Sequence, residues 1–400
     1  MSLSVIYLRL FNMLAIKNLE KAAERILKAI KQKENIILYG DADLDGTTSV
    51  IILKETVQNL NGKIIAVYFP DREIEGYGIS EIGLNFLKNH SPALLIALDC
   101  GIGNFREIKE AKKLGFEVII IDHHEILDKL PQAKIIVDPK QKGDKYPFKG
   151  LATAGIAFEL SELLLRDKMT PALRKNFLEL TALATLADMM PQESENKIFI
   201  EEGLQSLENS WRPGIKAFFE TEFFGSLTGM RQKVGKMISI LNVRDVKNQL
   251  PASFRLLNTP SLEEAKIFIE EFLVKNKIRR AAIEKIIEEI EKRIVGKNEP
   301  IIFEGDVFFE MELMGAAASV TCQQYQKPTF LYKKMKTESQ GTVRIPDDIN
   351  SVTLMKKCSK YLLTYGGHPR ASGFRIKNEN LEKFKNCLIK EIKSLFHPSL

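Results

Sequence analysis

Short apolar runs that end in an acidic residue constrain this chain more than any other feature. Residues 35–40 (NIILYG) lead into Asp41, residues 94–98 (LLIAL) into Asp99, and residues 117–121 (EVIII) into Asp122. Residues 63–69 (KIIAVYF) and 134–137 add two further strand-like runs, and helical patterns fill 47–60 and 104–114. Strands separated by helices of about 10 to 15 residues predict an α/β fold built on a doubly wound parallel sheet. In such a sheet ligands gather at the C-terminal edge of the strands, where these acids stand.

The rest of the chain divides by pattern. Residues 1–33 read as an N-terminal helical segment, with an amphipathic helix over 17–33, and residues 34–230 as the sheet domain, helical from 152 to about 229. Residues 231–296 read as a helical connector, because 261–295 is highly charged with apolar residues at helical spacing. Residues 297–400 read as a smaller mixed α/β domain, with strands at 301–309, 328–334 and 341–345 and helices at 315–326 and 349–360.

Four hundred residues suffice for two or three domains and a large core. No stretch of 18 uncharged apolar residues occurs, so no membrane span or membrane partner is expected. The apolar N-terminus carries Arg9 and lacks a basic leader or a cleavage site, and reads as a packing segment rather than a signal peptide. Cys100, Cys322, Cys358 and Cys387 are scattered without metal-like spacing, which fits reduced thiols in a cytoplasm. The net charge of +6 is uneven: residues 301–400 carry 15 Lys/Arg against 10 Asp/Glu. A basic part beside an acidic centre suits a polyanionic substrate, although a solvated lysine surface has the same composition.

The acids form a constellation. Asp41, Asp43 and Asp45 alternate in the turn GDADLDGTTS after the first strand, and alternation in an extended turn can aim several carboxylates at one point. A calcium loop would also place Gly46 at its sixth position, but its twelfth would be Ile52 instead of a bidentate Glu. Asp122-His123-His124 offers nitrogen and oxygen donors suited to a borderline divalent metal. Asp188 interrupts an apolar run, ALATLADMMP, where a carboxylate is costly unless paired or metal-bound. Each Asp alone could cap a helix. Together they predict a two-metal site fit for in-line phosphoryl displacement.

With these motifs the chain resembles the DHH phosphoesterase superfamily, and within it the RecJ-type single-stranded-DNA exonucleases. The resemblance runs through DADLDGTTS (41–49), PDREIEGYG (70–78), ALDCGIGNFREIKEAKKLGFEVIIIDHHE (97–125), IIVDPKQ (135–141), YPFKGLATAGIAFEL (146–160) and LATLADMMP (183–191). GTVRIPDDIN (341–350) and YGGHPRASGF (365–374) resemble the signatures of the DHH-associated domain. The resemblance implies Asp43, Asp45, Asp99, His123 and Asp188 as ligands of two divalent ions, manganese or else magnesium, with Asp99 bridging. It implies that Asp41 assists catalysis from outside the ligand set and that His124 contacts the scissile phosphate or steadies the transition state. Arg344, Gly366, Gly367 and His368 would hold substrate phosphate. Two departures stand out: residues 238–244 (ISILNVR) lack an Arg usual in that family, and only about 25 residues follow Phe374, too few for an OB-fold that grips single strands.

The expected activity is metal-dependent hydrolysis of single-stranded nucleic acid, DNA ahead of RNA, 5′ to 3′, in the cytoplasm. The alternatives are a phosphodiesterase on short oligonucleotides or cyclic dinucleotides, and a silent nucleic-acid-binding subunit of a replication or repair assembly. No protein partner is indicated. Gly76-Tyr77-Gly78 reads equally as a substrate contact or a tight turn, and Trp211 as packing rather than base stacking.

Overall fold

The computed structural model describes residues 15–396 apart from 73, 127–128, 244 and 347–348. Most of the N-terminal packing segment, residues 1–14, and parts of ISILNVR and GTVRIPDDIN therefore lie outside the described residues. The chain forms two compact units, Met1–Val274 and Lys275–Leu400.

The first unit opens with α1 (Leu19–Lys31) and β1 (Ile36–Gly40), followed by α2 (Leu44–Asn59), β2 (Ile64–Tyr68) and α3 (Glu81–Leu87). Next come β3 (Ala93–Leu98), α4 (Phe105–Lys113), β4 (Phe116–Ile121) and β5 (Ile135–Val137). The strands form one sheet in the order β2-β1-β3-β4-β5, parallel throughout. The runs are apolar at every position because both faces are covered. Ile36, Leu38, Leu94, Ile96, Ile119 and Ile121 enter the core on one face, whereas Ile37, Tyr39, Leu95, Ala97, Val118 and Ile120 enter the other. From β1 the chain winds outward to β2, then returns to β3 and proceeds the opposite way. The sheet reverses between β1 and β3, and that switch point is where a doubly wound sheet opens its binding crevice.

Helices α5 (Thr153–Leu165), α6 (Pro171–Ala187) and α7 (Ser194–Ser206) complete the first face, with α8 (Pro213–Phe219), α9 (Glu222–Gly225) and α10 (Met230–Leu241) beyond them. A short pairing of β6 (Val246–Lys247) with β7 (Leu250–Pro251) leads to α11 (Ala252–Asn258). Residues of the expected connector, including Val234, Met237, Ile240 and Leu241, belong to this core. Arg212 is buried and ties the helices together: it donates to both carboxylate oxygens of Glu55 at 2.9 Å, to Asn176, and to the Leu257 carbonyl at 2.7 Å. Trp211 departs from its expected packing role, since it is 56% exposed, with the Arg212 guanidinium against its ring.

Helix α12 (Leu262–Ile294) runs from the first unit into the second. Ala265, Ile269 and Phe272 join the first core; Ile283, Ile286 and Ile290 join the second. The second unit adds β8 (Ile302–Asp306), α13 (Met311–Tyr325), β9 (Thr329–Lys334), β10 (Glu338–Arg344), α14 (Ser351–Lys357), β11 (Leu362–Gly367), β12 (Ala371–Lys377) and α15 (Leu381–Phe396). Its sheet has the order β11-β12-β10-β9-β8, antiparallel except for the parallel β8–β9 pair. Phe330, Val343, Phe374 and Ile376 pack toward α14 and α15; Ile302 and Leu331 pack toward α12 and α13.

One expectation is corrected here. Cys358 and Cys387 form a disulfide, whereas Cys100 and Cys322 remain free thiols in the interior. Packing of α14 against α15 brings the two sulfurs together from positions 29 residues apart, a proximity that the spacing of the cysteines does not encode.

Candidate metal centre

The centre is built at the sheet's switch point. Asp41, Asp43 and Asp45 follow β1, Asp99 follows β3, and Asp122, His123 and His124 follow β4. The turn after β1 is tight. Asp43 caps α2 by accepting from the Gly46 amide at 3.0 Å, and Gly46 lies so close to the Asp41 backbone that no Cβ fits there. Asp99 adopts a left-handed backbone with φ of 62°, a conformation that Asp tolerates better than most residues.

Asp45 is 2% exposed and sits at the N-terminus of α5. Ala152, the residue before that helix, has no side chain able to cap it. Asp45 takes over that task, accepting from the Thr153 amide at 2.7 Å and the Ala154 amide at 2.8 Å. Helix N-termini present unpaired amides and a positive dipole end, so the carboxylate is held there. Asp188 sits at the opposite kind of place, the C-terminal end of α6, where a helix disfavours negative charge.

His123 organises the cluster. Its Nδ1 lies 3.0 Å from the Leu151 carbonyl, which can only accept, so Nδ1 carries the proton. Its Nε2 then faces Asp99 Oδ1 at 3.3 Å, Asp188 Oδ2 at 3.5 Å and Asp45 Oδ2 at 3.6 Å. A backbone carbonyl that orients a histidine in this way is the usual support behind a metal ligand. The Thr153 hydroxyl donates to Asp99 Oδ1 at 3.0 Å. Among the described residues of the first unit, three donor groups each bring their atoms within 4.8 Å of one another: Asp45 with Asp99 and His123, Asp41 with Asp43 and Asp99, and Asp99 with Asp122 and His124. Asp99 belongs to all three.

The electrostatics are those of acids crowded out of water. Burial, then the neighbouring Asp43 charge, pushes the Asp45 carboxyl up to about 7. Burial, reinforced by Asp45 and Asp43, drives Asp99 and Asp188 well above the usual carboxylate range. Asp122 moves the other way. Burial works against its charge, but His124 and the amides of Ile102 and His124 hold its carboxyl below the ordinary value. It accepts from His124 Nδ1 at 2.7 Å, which fixes that ring.

Two further contributors, Arg72 and Thr153, are absent from the residues singled out in the sequence, and a third, Tyr77, is left open there. Arg72, within PDREIEGYG, donates to Asp41 Oδ1 at 2.8 Å and Asp43 Oδ2 at 2.9 Å. Tyr77 is 49% exposed, donates to the Asp99 carbonyl at 2.9 Å, and lies 3.1 Å from His124 Nδ1. Gly76 and Gly78 on either side of it have the positive φ of a turn, and the turn places the Tyr77 hydroxyl against the centre. Thr153 belongs to the small-residue run GLATAG at the α5 entry, which was the available signal.

The remaining candidates lie in the second unit. The Arg344 guanidinium is held by Ser319 Oγ at 3.0 Å, Thr342 Oγ1 at 3.0 Å and the Val343 carbonyl at 2.8 Å. Gly366 pairs with Gly373 across the β11–β12 ladder. Gly367 turns the chain at a φ of 128°, where a Cβ would meet the Ala371 carbonyl at 2.7 Å. The His368 amide closes that turn on the Ala371 carbonyl at 2.8 Å.

This fold has known counterparts. Residues 35–185 match the DHH family, N-terminal domain. Over 93% of its length it is 32% identical to the single-stranded-DNA-specific exonuclease RecJ of Bacillus subtilis (strain 168), of which it covers 47%. The chain thus spans about half the length of that curated relative. The crystal structure of an exonuclease RecJ bound to manganese matches with a TM-score of 0.74 and 27% identity, over 94% of this chain and 95% of that one. RecJ from Thermus thermophilus, in complex with Mn2+, matches with a TM-score of 0.77 and 25% identity, over 94% of this chain and 55% of that one.

Proposed function

We propose that this protein is a divalent-metal-dependent phosphodiesterase that degrades single-stranded DNA from the 5′ end to mononucleotides. The observation that carries the reading is the convergence of His123 Nε2 with Asp45, Asp99 and Asp188 at 3.3–3.6 Å. That arrangement buries several like charges and gains sense only with cations among them. The donor set of carboxylates and one imidazole suits manganese or magnesium. Asp43, Asp45, Asp99, His123 and Asp188 would hold two such ions, with Asp99 shared. Bound there, the pair would supply a water of lowered pKa and neutralise phosphoryl charge.

The chain's own residues do the rest. Leu151 and Thr153 fix the ligand orientations, so little rearrangement is needed on loading. Asp122 holds the His124 ring for contact with the phosphoryl group, and Tyr77 braces it. Arg72 balances Asp41 and Asp43, and Asp41 acts by holding Arg72. In the second unit, Arg344 offers a guanidinium and His368 an imidazole suited to a phosphate, and Gly366 and Gly367 leave the backbone open to its approach. Exonucleolytic action on single strands supports a role in DNA repair and recombination.

A substrate panel tests the reading: manganese with 5′- or 3′-labelled single-stranded DNA, duplex DNA, RNA and a cyclic dinucleotide. The expected result is mononucleotide release from the 5′ end of single-stranded DNA. Cleavage of the dinucleotide alone would make it a small-substrate phosphodiesterase, and no product from any member would leave a silent binding subunit.

A further inference from the structure

We propose that the strip of the second unit's sheet running from Arg344 to Arg375 and Lys377 is a track for the backbone of single-stranded nucleic acid beyond its terminal nucleotide. This rests on the proposed function and extends it to residues outside the phosphate-binding set. The strand registers place the strip on one face. Arg344 stands opposite Ala371, Thr342 opposite Gly373, Gln340 opposite Arg375, and Glu338 opposite Lys377. Side chains alternate along a strand, so Arg344, Arg375 and Lys377 share a face, while Phe374 and Ile376 enter the core behind it. Helix α13 covers that face over β9 and over the Thr342–Arg344 end of β10, with Gly315 beside Thr342 and Arg344 and Ser319 bonded to Arg344, so the open part of the strip begins past Thr342 and lies over β12 and β11. Beyond it, Thr364, Arg375 and Lys377 are exposed.

The strip has the form of a track. Gly373 and its cross-strand partner Gly366 carry no side chains, so a ligand can approach the sheet backbone between Arg344 and the two distal cations. Ala371 to Arg375 spans four residues, about 13 Å at the rise of a strand. That is wider than one phosphate group, so an extended polyanion is the occupant the charges fit. Glu338 pairs with Arg375 and is the opposing charge on the strip. The strip nonetheless remains cationic, in a unit with 23 Lys/Arg against 15 Asp/Glu over residues 275–400; the first unit has 35 against 37. Backbone contacts of this kind give affinity that grows with strand length and falls with salt.

The test uses the whole chain and 5′-phosphorylated single-stranded DNA, comparing a dinucleotide with a dodecanucleotide by fluorescence anisotropy over a salt series. For the wild type, the longer strand should bind more tightly and with the steeper salt dependence. In R375Q/K377Q the salt slope for the dodecanucleotide should fall by about 1.4, from two lost contacts to a single strand. Most of the length advantage should go with it, and R375K/K377R should restore both. An unchanged slope and length advantage in R375Q/K377Q would overturn the track, as would equal losses in R375K/K377R. Manganese-dependent hydrolysis by the wild type is read alongside: its absence would count against the proposed function itself, whereas hydrolysis with an unaltered length dependence in R375Q/K377Q would remove only the track.

Discussion

At the scale of single residues, the centre depends on Asp99 and His123 more than on any other pair. Asp99 takes part in all three donor groups of the first unit, and His123 aims one nitrogen at three carboxylates while a carbonyl holds the other. Asp99→Ala and His123→Ala should therefore reduce manganese-dependent hydrolysis of single-stranded DNA below detection, measured as mononucleotide release. Thr153→Ala should act more mildly. Losing the hydroxyl that orients Asp99 should weaken manganese affinity about 10- to 100-fold by calorimetric titration, and Thr153→Ser should restore it. The aspartates and histidines were legible in the sequence because they stand directly after apolar strands, where a parallel sheet gathers its ligands. Arg72 and Thr153 were not, because they reach Asp41 and Asp99 from 31 and 54 residues away. The amides of Thr153 and Ala154, which hold Asp45, leave no trace in side-chain identity at all.

At the scale of elements, the sheet's switch point accounts for where the acids meet, and the helices account for its rigidity. Arg212 is the clearest joint between helices: it is 3% exposed and meets Glu55 on α2, Asn176 on α6 and Leu257 on α11. Arg212→Ala would strand the Glu55 charge and a buried carbonyl. The expected loss is about 3–5 kcal/mol in urea unfolding, although Arg212 touches no member of the centre. The strands of the first sheet were readable because burial on both faces makes them apolar throughout. Strands β11 and β12 were not read as strands. The glycines of β11 break any pattern, and β12 alternates only over Phe374-Arg375-Ile376-Lys377, too few residues to stand out. The small β6–β7 pair is two residues per strand, too short to leave a pattern.

At the scale of the whole molecule, two linkages hold beyond local packing. The Cys358–Cys387 bond ties α14 to α15. Cys387→Ser should lower stability by about 2–4 kcal/mol, and reductant should lower the wild-type Tm without affecting the variant. Metal binding is the second linkage. Ions that bind only the folded chain stabilise it, by about 2.7 kcal/mol at a hundredfold excess over Kd. Manganese should therefore raise the wild-type Tm, and Asp99→Ala should lose that rise. The sequence pattern marks a sheet domain, a helical connector over 231–296 and a smaller mixed domain, whereas the two compact units meet at 274/275, inside one unbroken helix whose charged surface reads alike on both sides. The central claim is that the strand-end acids and His123 gather two divalent ions around Asp99. Anomalous diffraction at the manganese edge from crystals grown with manganese tests it most directly. Two peaks about 4 Å apart, both within bonding distance of Asp99, are predicted; a single peak, or peaks that do not share Asp99, would contradict it.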